Sequence, residues 1–105
     1  MEFKSNFERY QATDRIALSE QQRSELREIL EDELIDLPDR FCQLRKAAGF
    51  SQVEFAAVLN VTQSAVSQWE NGAKKPSAEV LIRLADLYDF DLKEFLSAFG
   101  FTFRK

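Results

Sequence analysis

Ser51-Gln-Val-Glu-Phe-Ala-Ala-Val-Leu-Asn-Val-Thr-Gln-Ser-Ala-Val-Ser-Gln-Trp-Glu-Asn-Gly72 reads as two short helices joined by a tight turn. Ser51 followed by Glu54 is a capping box, so the first helix is expected over 52–59, with Phe55, Ala56 and Leu59 on its apolar side. Asn60 stands where the chain must reverse, and Asn tolerates the left-handed conformation better than most residues with a side chain. Thr62 caps a second helix over 63–70, with Val66 and Trp69 inward, and Asn71-Gly72 stops it. Two helices this short pack closely only if a small residue sits at the crossing. Ala56 supplies it, while Val61 and Val66 can fill the wedge below the turn.

The second helix carries its chemistry on the other side. Gln63, Ser64, Ser67 and Gln68 share one face. A merely solvated helix would more often hold Lys and Glu, which are better helix formers. Gln can pair with adenine through two hydrogen bonds, and Ser can bond to several base edges. Gln52, in the first turn of the preceding helix, has its amide near a helix N-terminus and is placed for a phosphate. Lys74 and Lys75 follow directly after the polar helix. Trp69 reads as core rather than as a stacking platform, and Cys42 as a small buried or half-buried residue.

Outward from this stretch the pattern stays helical. Leu37-Pro38-Asp39 marks a break and suits a first helical turn; a helix over 38–47 follows, with Phe41, Leu44 and Ala48 inward and Gly49 ending it. Ser77 caps a helix over 78–87 with Val80, Leu81, Leu84, Ala85 and Leu87 apolar, and Leu92–Leu96 forms a last short one. Upstream, Ser19 and Gln22 form another capping box, with Leu18 as a staple residue. Leu26, Ile29, Leu30 and Leu34 then recur at helical spacing, which predicts an amphipathic helix over about 20–35. Its apolar stripe must be covered, by the same chain's domain or by a dimer partner. The third reading of this helix is an acidic lure for a basic partner. Residues 1–12, with Phe3 and Phe7, read as a loose arm. Past Leu96, Phe101, Thr102 and Phe103 alternate with the period of a strand, which fits a ribbon across a dimer or a tail folded on the helices.

The organisation is therefore an acidic extension over 1–36, a helix-turn-helix domain over 37–96 and a Phe-rich tail over 97–105. Charge divides along the same line. The net −4 of the 105 residues splits into −5 over 1–36 (five Lys/Arg, ten Asp/Glu) and +1 over 37–105 (nine against eight). DNA affinity would then depend on where the positive charges lie rather than on net charge. Ten Phe against three Gly and two Pro argue for a packed core. One Cys and no His exclude a disulfide framework and leave no imidazole for a metal site. With no long apolar run, the expectation is a cytoplasmic protein without membrane, metal or cofactor.

The run Ser51–Gly72, followed by Lys75-Pro76-Ser77, resembles the phage-repressor and Cro class of helix-turn-helix proteins, the XRE family, from about Phe41 to Leu96. The resemblance implies an all-α, lambda-repressor-like domain of five helices whose third lies in the major groove. It places base-reading positions on Gln63, Ser64, Ser67 and Gln68, and a phosphate contact on Gln52. Backbone anchoring falls on the loop of Asn71, Lys74 and Lys75, and an ion pair on Arg45 with Glu70. Two departures stand out: Asn60 where the family commonly has Gly, and the long acidic extension, which leaves the mode of dimerisation open.

The function expected from this is a sequence-specific repressor that binds an inverted-repeat operator in double-stranded DNA as a homodimer. An antitoxin that also regulates its own operon is the alternative, because the acidic extension suits a toxin with a basic cleft. A protein-interaction module that has lost DNA binding is a further class, supported only by the near-neutral charge of 37–105. With no Gly-rich phosphate loop and no coherent nucleophile arrangement, an enzyme is not expected.

Overall fold

Five of the six helices found among the described residues begin on a side chain that closes the first turn. The computed structural model describes residues 17–102. The arm of Phe3 and Phe7 and the residue Phe103 lie outside that range. The helices are α1 (Glu20–Glu31), α2 (Leu37–Ala47), α3 (Gln52–Leu59), α4 (Gln63–Glu70), α5 (Ala78–Tyr88) and α6 (Leu92–Ala98). Ser19 and Ser51 form full capping boxes with Gln22 and Glu54. Thr62, Ser77 and Asp91 accept from the third backbone N–H of their helices. In α2 no side chain caps, and Pro38 occupies the first turn, where a missing N–H costs nothing.

The fold is all-α, and no described helix is long and apolar enough to cross a membrane. One core runs through all six helices: Leu26, Phe41, Leu44, Phe55, Leu59, Val66, Leu81, Leu84, Tyr88 and Phe95 are completely enclosed. Helix α2 packs on α1 and α4, α3 on α4 and α5, and α6 on α5 and α1. Phe41 centres an aromatic cluster, meeting Phe55, Trp69 and Phe99 edge to face at 5.5, 5.5 and 6.2 Å. Trp69 is thus core. Tyr88, although buried, donates its hydroxyl to the Leu44 carbonyl at 2.9 Å.

The stripe of α1 is covered by its own chain: Leu26 and Ile29 enter the common core and Leu30 packs against it. Arg23 and Arg27 lie over the Phe90 ring at 5.2 and 5.5 Å, tying α1 to the α5–α6 corner. The helix is shorter than its periodicity implies. It stops at Glu31, and Leu34 is 93% exposed instead of extending the stripe. Glu31, Asp32 and Glu33 crowd negative charge at the negative end of the helix dipole, with no basic residue in the last turn. The Asp32 carboxylate also draws the Leu34 N–H into a turn at 2.9 Å. The buried Arg40 then joins two helix ends, donating to the carbonyls of Asp32 and Ala98.

After α6, Phe99 is buried while Phe101 lies at the surface; residues 101 and 102 are irregular, not strand. A lone extended segment has no neighbouring strand among the described residues to satisfy its backbone. The Phe101 N–H bonds back to Leu96 O at 3.1 Å instead.

Candidate nucleic-acid interface

The angle between α3 and α4 is set at three residues. Asn60 takes the left-handed conformation, φ 58° and ψ 46°, and so does the work that Gly performs elsewhere. Val61 N–H then bonds back to Ala56 O at 2.9 Å, closing the end of α3. Thr62 returns to extended backbone and caps α4. Beneath the turn, Ala56, Leu59 and Val66 are buried and Val61 is half-buried. Arg83, reaching across from α5, donates to the Leu59 carbonyl and so satisfies a group that the helix end would leave unpaired.

On the outer side of α4, Gln63 and Ser64 are exposed and Ser67 and Gln68 half-buried. None of the four carries charge. Such a face can approach a polyanion closely without introducing like-charge repulsion, and its amides and hydroxyls can sort base edges.

The Gln52 side chain is placed between the two ends of α4. Its Nε2 donates to Glu70 Oε1 at 3.0 Å, and its Oε1 accepts from Gln63 Nε2 at 3.5 Å. Glu70 is in turn clamped by Arg45, whose Nε meets Oε2 at 2.7 Å and whose Nη2 meets Oε1 at 3.1 Å. Arg45 Nη1 donates to Phe50 O at 2.7 Å, so a single guanidinium joins α2, the α2–α3 corner and the end of α4. The two charged side chains are only 10% and 7% exposed.

Burial pushes the Glu70 carboxyl upward, but hydrogen bonds from Arg45, Gln52 and Cys42, with the Arg45 charge, outweigh it and hold the group below its ordinary value. The hydrogen bond to Glu70 is the main cause that raises Arg45. The Cys42 thiol is raised, first by burial and then by the neighbouring carboxylate, which keeps it protonated and unreactive.

The loop after α4 is internally braced. Asn71 Oδ1 accepts from Ala73 N–H at 2.9 Å, and Lys74 N–H donates to Gln68 O at 3.2 Å. Gly72 sits at φ 82° beside Pro38, so a side chain there would be strained. This holds Lys74 and Lys75 exposed beside the end of α4. Asn71 is exposed too, but its side-chain oxygen is committed to the loop, leaving its amide nitrogen for an outside acceptor.

The structure therefore brings Gln52, Gln63 and Glu70 into one bonded chain and puts Arg45 behind it. Ser64, Ser67 and Gln68 follow on the same helix, and Lys74 and Lys75 flank its end. Two contributors escape sequence reading: Arg83 as the cap of α3, and the coupling of Gln52 to Glu70. A basic residue within an amphipathic helix carries no local sign of the distant helix end it will reach. The 18-residue separation of Gln52 from Glu70 has no periodic signature.

Residues 43–95, half of the chain, match the family described as helix-turn-helix. The HTH-type transcriptional regulator AnsR of Bacillus subtilis (strain 168) is 38% identical over 58 residues, which cover 55% of this chain and 50% of that protein. The chain thus spans about half the length of the curated relative it matches. No solved structure matches it. The capped α3–turn–α4 unit and these matches agree: the chain belongs to the helix-turn-helix family, in its XRE-type branch.

Proposed function

We propose that this protein regulates transcription by binding a specific double-stranded DNA operator as a homodimer, with α4 in the major groove, and represses by occupying that site. The observation that carries the reading is the uncharged, outward Gln63–Ser64–Ser67–Gln68 face, held rigid from behind by the Arg45–Glu70 pair and flanked by exposed Lys74 and Lys75. Gln63 and Gln68 would read base edges, with Ser64 and Ser67 beside them. Gln52, Asn71, Lys74 and Lys75 would hold phosphates. The matched relative bears the name of a transcriptional regulator, which supports the same conclusion. Binding, not catalysis, is the activity proposed, in the cytoplasm where DNA is accessible.

Dimerisation follows from reach. An eight-residue helix is roughly 12 Å long at about 1.5 Å per residue, enough to meet only a few base pairs. Val53, Ile82, Leu92 and Phe101 also leave apolar surface open on the single chain. Two copies would place their reading helices on half-sites about 34 Å apart on one face of the duplex. Sedimentation of the free protein and of its complex, with footprinting on duplexes selected from a random pool, tests this. A protected inverted repeat with two copies bound is expected; a monomer both free and on DNA would refute it.

The outward acids of α1 and the turn after it (Glu25, Glu28, Glu31 and Glu33 are all exposed) favour one additional reading, that the chain also holds a basic toxin. Co-expression with a small basic protein encoded beside it should then yield a stable complex, and separate elution of the two would remove this reading.

A further inference from the structure

The chain Arg45–Glu70–Gln52–Gln63 has a direction. An ionised carboxylate only accepts hydrogen bonds, whereas a terminal amide has a donor end and an acceptor end of nearly equal shape. Facing Glu70 Oε1 at 3.0 Å, Gln52 must present its Nε2. Its Oε1 is thereby turned the other way, toward Gln63, and an oxygen again only accepts. Gln63 must therefore meet it with Nε2, at 3.5 Å. Each amide orientation follows from the acceptor-only character of the group before it. Arg45 holds the carboxylate ionised and in place, since both its Nε and Nη2 donate to it.

We infer that Glu70 is a specificity-positioning residue, which sets the polarity of the Gln52 and Gln63 amides and through them the preference of Gln63 for adenine over guanine. The inference rests on the DNA-binding reading above. In the observed polarity Gln63 gives one N–H to Gln52 and keeps one N–H and its carbonyl. That donor–acceptor pair matches adenine, which offers N7 as acceptor and N6–H as donor. In the reverse polarity Gln63 would give its carbonyl to Gln52 and point two N–H groups outward. Those match guanine, whose N7 and O6 both accept. Glu70 touches no base, yet removing its one-way character frees both amides to turn over.

The test compares wild-type protein with Gln63→Ala, Glu70→Gln and Gln52→Met. Duplexes selected by the wild type from a random pool are titrated, together with single-base variants and a scrambled duplex. The position whose preference disappears in Gln63→Ala is the one Gln63 reads. There the wild type should favour A·T over G·C by a factor between about 5 and 150, the range of one bidentate contact. Glu70→Gln keeps the shape but can donate or accept, so the A·T to G·C ratio should fall toward unity, chiefly because the G·C duplex binds more tightly. Affinity for scrambled DNA should change less than about twofold, a result that loss of structure would not give.

Gln52→Met leaves the Arg45–Glu70 pair intact and severs the relay, so it decides the matter even if Glu70→Gln melts below the assay temperature. It too should lose the A·T preference. A wild-type ratio retained in Gln52→Met, or in folded Glu70→Gln, overturns the inference, as does a wild-type preference for guanine at that position. Wild-type protein that shows no preference among duplexes would instead overturn the DNA-binding reading itself.

Discussion

Replacing Arg45 with Met keeps the aliphatic stem and removes the guanidinium. Four hydrogen bonds go with it, two to Glu70, one to the Phe50 carbonyl and a longer one to Cys42 Sγ. What remains is the greater problem. The Glu70 side chain, 7% exposed, would be a buried carboxylate supported only by neutral donors. Breaking a buried pair from one side typically costs about 3–5 kcal/mol, against under about 1 for an exposed pair. In a domain of this size that is on the order of 12–40 °C in melting temperature and a large part of the total stability.

The pH dependence separates this cause from ordinary loss of packing. In the wild type Glu70 lies below its unfolded value, so its contribution is present above that value and fades as pH falls through the folded one. In Arg45→Met burial dominates and raises the carboxyl above the unfolded value. The mutant is then penalised at neutral pH and recovers as the group protonates. Urea unfolding should therefore show a gap between the two proteins that is widest near pH 7 and narrows toward about pH 4.5. Arg45→Met combined with Glu70→Leu should regain most of the stability, because no charge is left buried. A neutral-pH gap below about 1 kcal/mol, or one independent of pH, would refute the assignment of Arg45 as the neutralising partner of a buried Glu70.

Tyr88→Phe should cost about 0.5–1.5 kcal/mol in urea unfolding, since it removes a buried hydrogen bond to the Leu44 carbonyl. Burial raises the Tyr88 phenol well above its ordinary value; its stabilising share is thus full below about pH 10 and is lost above it, so the wild type should weaken in alkali more steeply than Tyr88→Phe. Asn60→Val should lose about 1–2 kcal/mol because its β-branched side chain opposes the left-handed backbone, while Asn60→Gly should fold with little change in urea midpoint. Lys74→Gln and Lys75→Gln should weaken operator and scrambled DNA alike. The slope of log affinity against log salt should become shallower by about 0.9 for every phosphate that no longer meets a lysine.

The parts of this structure written in local chemistry are legible in the sequence. Ser51 with Glu54, Thr62 and Ser77 name helix starts because a cap needs only residues within one turn. Asn60 marks the bend because few other side chains tolerate its backbone. The apolar spacing of Phe55, Ala56, Val66 and Trp69 separates the buried from the outward face of α3 and α4, and thereby exposes the Gln63–Gln68 face to reading. The family resemblance supplies Arg45 with Glu70, a pairing that periodicity alone does not contain.

Periodicity fails where charge overrules it. Leu34 continues the spacing of Leu26 and Leu30, but the acids at 31–33 end the helix one turn earlier. The Phe101–Thr102 alternation has the period of a strand, yet spacing says nothing about whether a neighbour exists to pair with. Arg40 and Arg83 carry no sign of a distant partner, although each travels across the fold to close the end of another helix. Such long-range capping depends on how whole helices pack and leaves no mark within either segment. The tie between Gln52 and Glu70 is hidden for the same reason.

The claim that α4 reads DNA sequence is tested most directly by titrating wild type, Gln63→Ala and Gln68→Ala against a selected operator and a scrambled duplex at several salt concentrations. Both replacements remove hydrogen-bonding groups and no charge. Each should cost about 1–3 kcal/mol on the operator, relax the preference at one position per half-site and leave the salt slope unchanged. If both variants discriminate operator from scrambled DNA as well as the wild type does, α4 is not the reading helix.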